Sequence, residues 1–129
     1  KFGVYGNGWN LANGNVNTSQ KEEAKYYRGA KIAINYSHFN YERYSSDRLL
    51  RILGTSTFCL THNYPGIEQD YTDKEHLVIF NDLNDLEEKI KYYLENDDER
   101  NKIAQAGEQL VRNRNTFKHQ VENILNIAE

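Results

Sequence analysis

The chain has 129 residues but no methionine, one cysteine, one proline and one tryptophan. With Cys59 alone, no internal disulfide can form and no multi-cysteine zinc site can be built. Cys59 lies in the apolar run "TFCLT", where a free thiol is expected to be buried and structural. The four histidines, His38, His62, His76 and His119, show no metal-ligand spacing, so neither a metal nor a cofactor is expected. No apolar run approaches the ~20 residues of a membrane span, and no signal-peptide pattern is visible. The expectation is a soluble cytoplasmic domain with no membrane span. An excess of basic charge is also lacking: the net charge is −3 and the pI about 5.8. Non-specific nucleic-acid binding needs a basic surface, so nucleic acid is not an expected partner. The missing methionine and the abrupt strand-like opening "KFGVYG" suggest a piece of a longer protein.

What is present is an alternation of short apolar strands and helices. Phe2 to Tyr5 reads as a strand ending in the turn "YGNGW", followed by a polar Gly/Asn-rich loop. "KEEAKYYRGA" reads as a short helix with Ala24, Tyr27 and Tyr26 inward, and Lys31 to Ser37 as a second strand. "SDRLLRILG" is amphipathic, with Ser46 as N-cap and Gly54 as C-cap. "STFCLTH" and "HLVIF" are further strands, separated by the turn "NYPGIEQDY". The last third is helical by period. Leu86, Ile90, Tyr93 and Leu94 form one stripe, and Ile103, Gly107, Leu110 and Val111 a second. Phe117, Val121, Ile124, Leu125 and Ala128 form a third. Asn84 with Glu87 resembles a capping box, and Thr116 can cap the final helix. This order predicts one α/β domain over residues 1–129, a Rossmann-like three-layer α/β/α arrangement. Its sheet is mainly parallel and its C-terminal third helical.

Parallel sheets bind ligands in the loops at the carboxyl ends of their strands. Those loops hold the unusual residues. A helix start presents free N–H groups and attracts phosphate, so Ser46 and Arg48 in "SSDRLL" can form an anion floor. The same spacing serves an N-cap with Arg48 paired to Asp47 or Glu42, which is the commoner arrangement. Gly6, Asn7 and Gly8 can let a backbone approach a ligand, or simply form a tight turn. The full Gly-x-Gly-x-x-Gly fingerprint is absent, since Leu11 fills its third site. Trp9 can stack on a ring or cover the core edge. Pro65 and Gly66 specify a turn, and Glu68 after it can accept bonds from sugar hydroxyls or serve as a helix-start acid. His38 and His62 lie in the ligand loops.

Taken in order, "YGNGW", "YYRGAKIAINYS", "SDRLLRILGTSTFCLT", "PGIEQDYTDKEHLVIFND" and "LEEKIKYYLENDDERNKIAQAGEQLVRNRNTF" resemble the C-terminal half of GT-B glycosyltransferases. The likeness is to the "glycosyl transferases group one", spore-maturation-protein-like group, and it covers nearly the whole chain. It implies a donor-binding domain that takes a nucleotide-diphospho-sugar without a metal, facing an N-terminal acceptor-binding domain. It implies Ser46 and Arg48 for the diphosphate, and Gly6-Asn7-Gly8 near the phosphates or cleft. Tyr36 and Ser37 would border the base, with Pro65, Gly66 and Glu68 toward the sugar or ribose. No catalytic residue is assigned, because the base would belong to the other domain. Many relatives carry two glutamates seven residues apart, the second on the ribose. Here those positions fall on Tyr44 and Arg51, which would transfer that role to Glu68 or Glu42.

Two other classes are weighed against this one. A response-regulator receiver needs an acidic pair after the first strand and an aspartate after the third. Gly6-Asn7 and His62-Asn63 stand there instead, which excludes it. A non-catalytic α/β ligand-binding or interaction domain, related to such enzymes but without the carboxylate pair, stays open.

Overall fold

The computed structural model describes residues 19–37 and 39–128. The expected first strand at Phe2 to Tyr5, the Gly6-Asn7-Gly8 turn, Trp9, Leu11 and His38 lie outside the described residues. Within them, three strands form one parallel sheet in the order β1 (Ala33–Asn35), β2 (Cys59–His62), β3 (Val78–Phe80). Ala33 pairs with Cys59, Asn35 with Thr61, Leu60 with Val78 and His62 with Phe80. Five helices accompany it: α1 (Gln20–Gly29), α2 (Asp47–Gly54), α3 (Leu83–Glu95), α4 (Asp97–Arg114) and α5 (Phe117–Ala128). This is the expected Rossmann-like α/β fold. The strands are shorter than their apolar runs suggest; Phe58, for instance, is buried just before β2 begins.

Side-chain alternation along the strands divides the core into two layers. On one face Ala33, Cys59 and Leu77 pack with Leu49, Ile52 and Leu53 of α2 and Val111 of α4. On the other, Leu60, Val78 and Phe80 pack with Tyr93 of α3 and Ile103 and Ala104 of α4. Helix α4 therefore serves both layers, its early turns on one side and its late turns on the other. Gly107 makes this possible. A Cβ there would sit 2.4 Å from the His76 carbonyl oxygen and 3.0 Å from Leu53 Cδ2. Cys59 is fully buried as expected, and burial pushes its thiol up to about 12.

Several helix ends differ from expectation. The N-cap of α3 is Asp82, whose carboxylate accepts the Asp85 N–H at 2.9 Å. Asn84 and Glu87 form no capping box, because Asp82 starts the helix first and a carboxylate is the stronger acceptor at a helix N-terminus. Gly54 is the last helical residue rather than the cap. Thr55 follows it, and its hydroxyl donates to the Ile52 carbonyl at 2.7 Å. Thr116 does precede α5, its Oγ1 accepting the His119 N–H at 3.4 Å. The third apolar stripe is the larger departure: no residue of α5 is buried. Leu94 and Tyr26 are also exposed.

Candidate functional site

A cavity of about 380 Å³ opens at the carboxyl ends of β1 and β2. It lies where an open parallel sheet places its ligands, and its size is within the range of small-molecule sites. Asn35 and His62, from the strand ends, form its floor with Tyr36 and Ser37. Phe39 and Asn40 line it from the following loop, and Tyr64 from the segment after β2. Among the described residues the lining holds no Asp, Glu, Lys or Arg. Tyr36 lies on His62 with ring centroids 4.7 Å apart, and His62 meets Phe80 edge-on at 5.5 Å. Such a wall suits an uncharged, flat group, since ring faces stack on ring faces.

Asn35 is only 2% exposed. Its Nδ2 donates to Thr61 Oγ1 at 3.0 Å, across the β1–β2 pairing. Its Oδ1 is buried and has no hydrogen-bond partner among the described residues. An unmatched buried acceptor costs about 1–3 kcal/mol, so this is a place where the fold stores a demand for a donor.

The loops around the cavity are stitched together. Tyr64-Pro65-Gly66-Ile67 is a type II turn: the Ile67 N–H donates to the Tyr64 carbonyl at 3.3 Å, and Gly66 has φ 80° and ψ 7°. That left-handed conformation requires the glycine. A Cβ on Gly66 would also sit 2.7 Å from Arg43 Cγ. The Arg43 N–H donates to the Pro65 carbonyl at 2.7 Å, and its guanidinium grips Asp70 through bonds of 2.6 and 3.1 Å. Gln69 adds a weaker bond to Glu42 at 3.4 Å. Tyr64 and Tyr71 lie beneath, and burial raises both phenols above their ordinary value while the neighbouring Ser45 hydroxyl opposes the shift.

Of the residues singled out from sequence, Tyr36 and Ser37 line the cavity, where the Ser37 hydroxyl accepts the Phe39 N–H at 3.4 Å. Pro65 and Gly66 are accounted for by the turn. Glu68 is exposed on the short 3-10 helix after it (Ile67–Gln69) and makes no ion pair among the described residues. Ser46 holds the N-cap position of α2, but its side chain caps nothing. Its Oγ is buried with no partner among the described residues. Arg48 is half-buried and pairs with neither Asp47 nor Glu42. Arg51 has taken Asp47 at 3.2 Å, and Gln69 reaches Glu42. Arg51 also bonds Glu23 of α1 at 2.7 Å, and Glu23 accepts from Tyr27 at 2.8 Å. Tyr44 lies edge-on to Phe39 at 5.5 Å.

Sequence reading passed over Asn35, Phe39, Asn40 and Tyr64. A signal for the first was present: an asparagine closing the apolar strand "IAIN" has to find partners at a buried strand end. Among the described residues no three His, Cys, Asp or Glu side chains cluster as a metal site would need, and no helix is long and apolar enough to cross a membrane. Comparison with curated proteins and with solved structures returns no match. The family model described as glycosyl transferase-like matches residues 1–126, and the chain belongs to that family.

Proposed function

We propose that this domain is the donor-binding half of a GT-B glycosyltransferase, in the spore-maturation-protein-like group. It takes a nucleotide-diphospho-sugar and works against an N-terminal acceptor-binding domain. The observation that supports this most is the aromatic-walled cavity at the carboxyl end of the parallel sheet, lined in part by the connection from β1 to α2. The base enters the cavity beside Tyr36 and Ser37. The diphosphate lies at the α2 start, with Ser46 at the N-cap position, free helix N–H groups and Arg48. Pro65, Gly66 and Glu68 border the ribose or sugar.

In this reaction an acceptor hydroxyl oxygen bonds to the anomeric carbon as the bond to the diphosphate oxygen breaks. The hydroxyl proton passes to a base on the acceptor domain. Negative charge grows on the leaving diphosphate, where a helix dipole and an arginine stabilise it without a metal. The domain alone binds donor and does not turn over. Cytoplasmic nucleotide-sugar supplies the substrate.

Titration of the chain with UDP and GDP at millimolar concentration, followed by NMR, tests this reading. Shifts are expected at Tyr36 and at Ser46 to Arg48, and their absence would count against a donor site. Arg48→Ala should weaken binding roughly tenfold, as for loss of a charge-assisted hydrogen bond. A second reading, a related domain that binds no donor, is favoured by one observation. Arg51, which the resemblance sets where many relatives carry a ribose-binding glutamate, is engaged with Glu23 and Asp47. Silence in the same titration would support that reading instead.

A further inference from the structure

We infer that His62 is a ligand-binding residue of the cavity: its ring nitrogens hydrogen-bond the nucleoside of the donor. This rests on the reading that the cavity takes the nucleoside end of a nucleotide-sugar.

His62 closes β2 two residues after Leu60, so its side chain falls on the face of the sheet that carries Leu60, Val78 and Phe80. Tyr36, two residues after Ile34, falls on that face too. The register sets Phe80 directly beside His62. Tyr36 packs on the imidazole with ring centroids 4.7 Å apart, and Phe80 meets it edge-on at 5.5 Å. Packing therefore fixes the half-buried ring without spending its polar atoms. Neither ring nitrogen has a hydrogen-bond or ion-pair partner among the described residues, and neither is sealed from solvent. A phenylalanine would serve the packing alone; the imidazole adds a donor or acceptor held in place at the cavity wall. The class of ligand follows from the rest of the lining. Tyr36 and Phe39 offer ring faces, and Ser37 and Asn40 offer neutral polar groups. Among the described residues no lysine or arginine lines the cavity to meet a phosphate. A nucleoside, a flat base carrying hydroxyls and ring polar atoms, matches both kinds of surface.

The test is a calorimetric titration of the natural chain and of His62→Phe with UDP and GDP. The variant keeps an aromatic ring against Tyr36 and Phe80 and removes both nitrogens. It should bind the tighter of the two nucleotides roughly tenfold more weakly. Unchanged affinity overturns the inference and leaves the donor-site reading standing. Should the variant fail to fold, the natural chain answers through NMR of the imidazole nitrogens. Uridine or guanosine, at a concentration that shifts Tyr36, should also shift the His62 ring nitrogens, and inorganic pyrophosphate should leave them in place. A nucleoside that moves Tyr36 and not His62 overturns the inference. So does a His62 shift with pyrophosphate, which would set the imidazole at the diphosphate. Binding of neither UDP nor GDP removes the donor site, and this inference with it.

Discussion

Helices α2 and α5 look alike in sequence, each a short segment with an aliphatic stripe, yet they end up in opposite surroundings. Leu49, Ile52 and Leu53 of α2 are 0% exposed, whereas Phe117 and Ile127 of α5 are 91% and 85% exposed. The difference lies in what stands opposite. Helix α2 is held between the sheet and α4, and Gly107 lets α4 come close enough to close that layer. Helix α5 meets no covering element among the described residues. A periodic stripe states which side of a helix is apolar; the surface that covers it has to come from elsewhere in the fold.

The strongest way to break this contrast is to open the α2 layer. Gly107→Ala places a methyl against the His76 carbonyl, a backbone atom that cannot swing aside. Overpacking of this kind should cost about 2–3 kcal/mol, read as a fall in the denaturation midpoint at unchanged slope. The helix caps give a smaller and more pointed comparison. Asp82 caps α3 and Thr116 caps α5, so the two truncations remove the same device from a packed and an unpacked helix. Asp82→Ala should lower global stability by about 1 kcal/mol. Thr116→Ala should leave the midpoint where it is and reduce only the helical signal in circular dichroism, because fraying of α5 uncovers no core.

These contrasts also show what could be read in advance. The strands, the five helices and the α/β class followed from apolar period and turn residues, since each is a local property. Cys59 was legible for the same reason. Tyr36 and Ser37 were named through the family resemblance, and they do line the cavity. Asn35 was legible only as a polar residue closing an apolar strand; its partner, Thr61, lies 26 positions away and could not be named from the sequence. Arg48 and Arg51 could not be told apart by spacing. Only the position of α1, with Glu23 and Tyr27, decides that Arg51 becomes a tie between helices. The exposure of α5 was hidden too, because amphipathy is local and covering is not.

The packed side of the contrast should also be the side that responds to acid. The Asp85 carboxyl on α3 is held below its ordinary value, first by its hydrogen bond to Lys89 and then by the Asn81 backbone N–H. A lowered folded-state value stabilises above the unfolded carboxyl value of about 4. That contribution disappears as pH falls through the lower folded value. Asp85→Asn should therefore melt below the natural chain at pH 6, and the two melting temperatures should converge as the solution is acidified through that range. A gap that stays constant with pH would mean that the effect of Asp85 on stability is not through its charge.

The smallest effect should come from α5 itself. Phe117→Ser and Ile127→Ser replace side chains that already face solvent, so no apolar area returns to water on unfolding that was not there before. Each should change stability by less than about 0.5 kcal/mol, against the 2–3 kcal/mol expected at Gly107. The measurement is the same chemical denaturation curve, run at two protein concentrations tenfold apart. A midpoint that moves for the serine variants would show that the α5 stripe is covered in solution. A shift that also depends on concentration would show that a second copy of the chain supplies the cover, because only association makes stability depend on concentration.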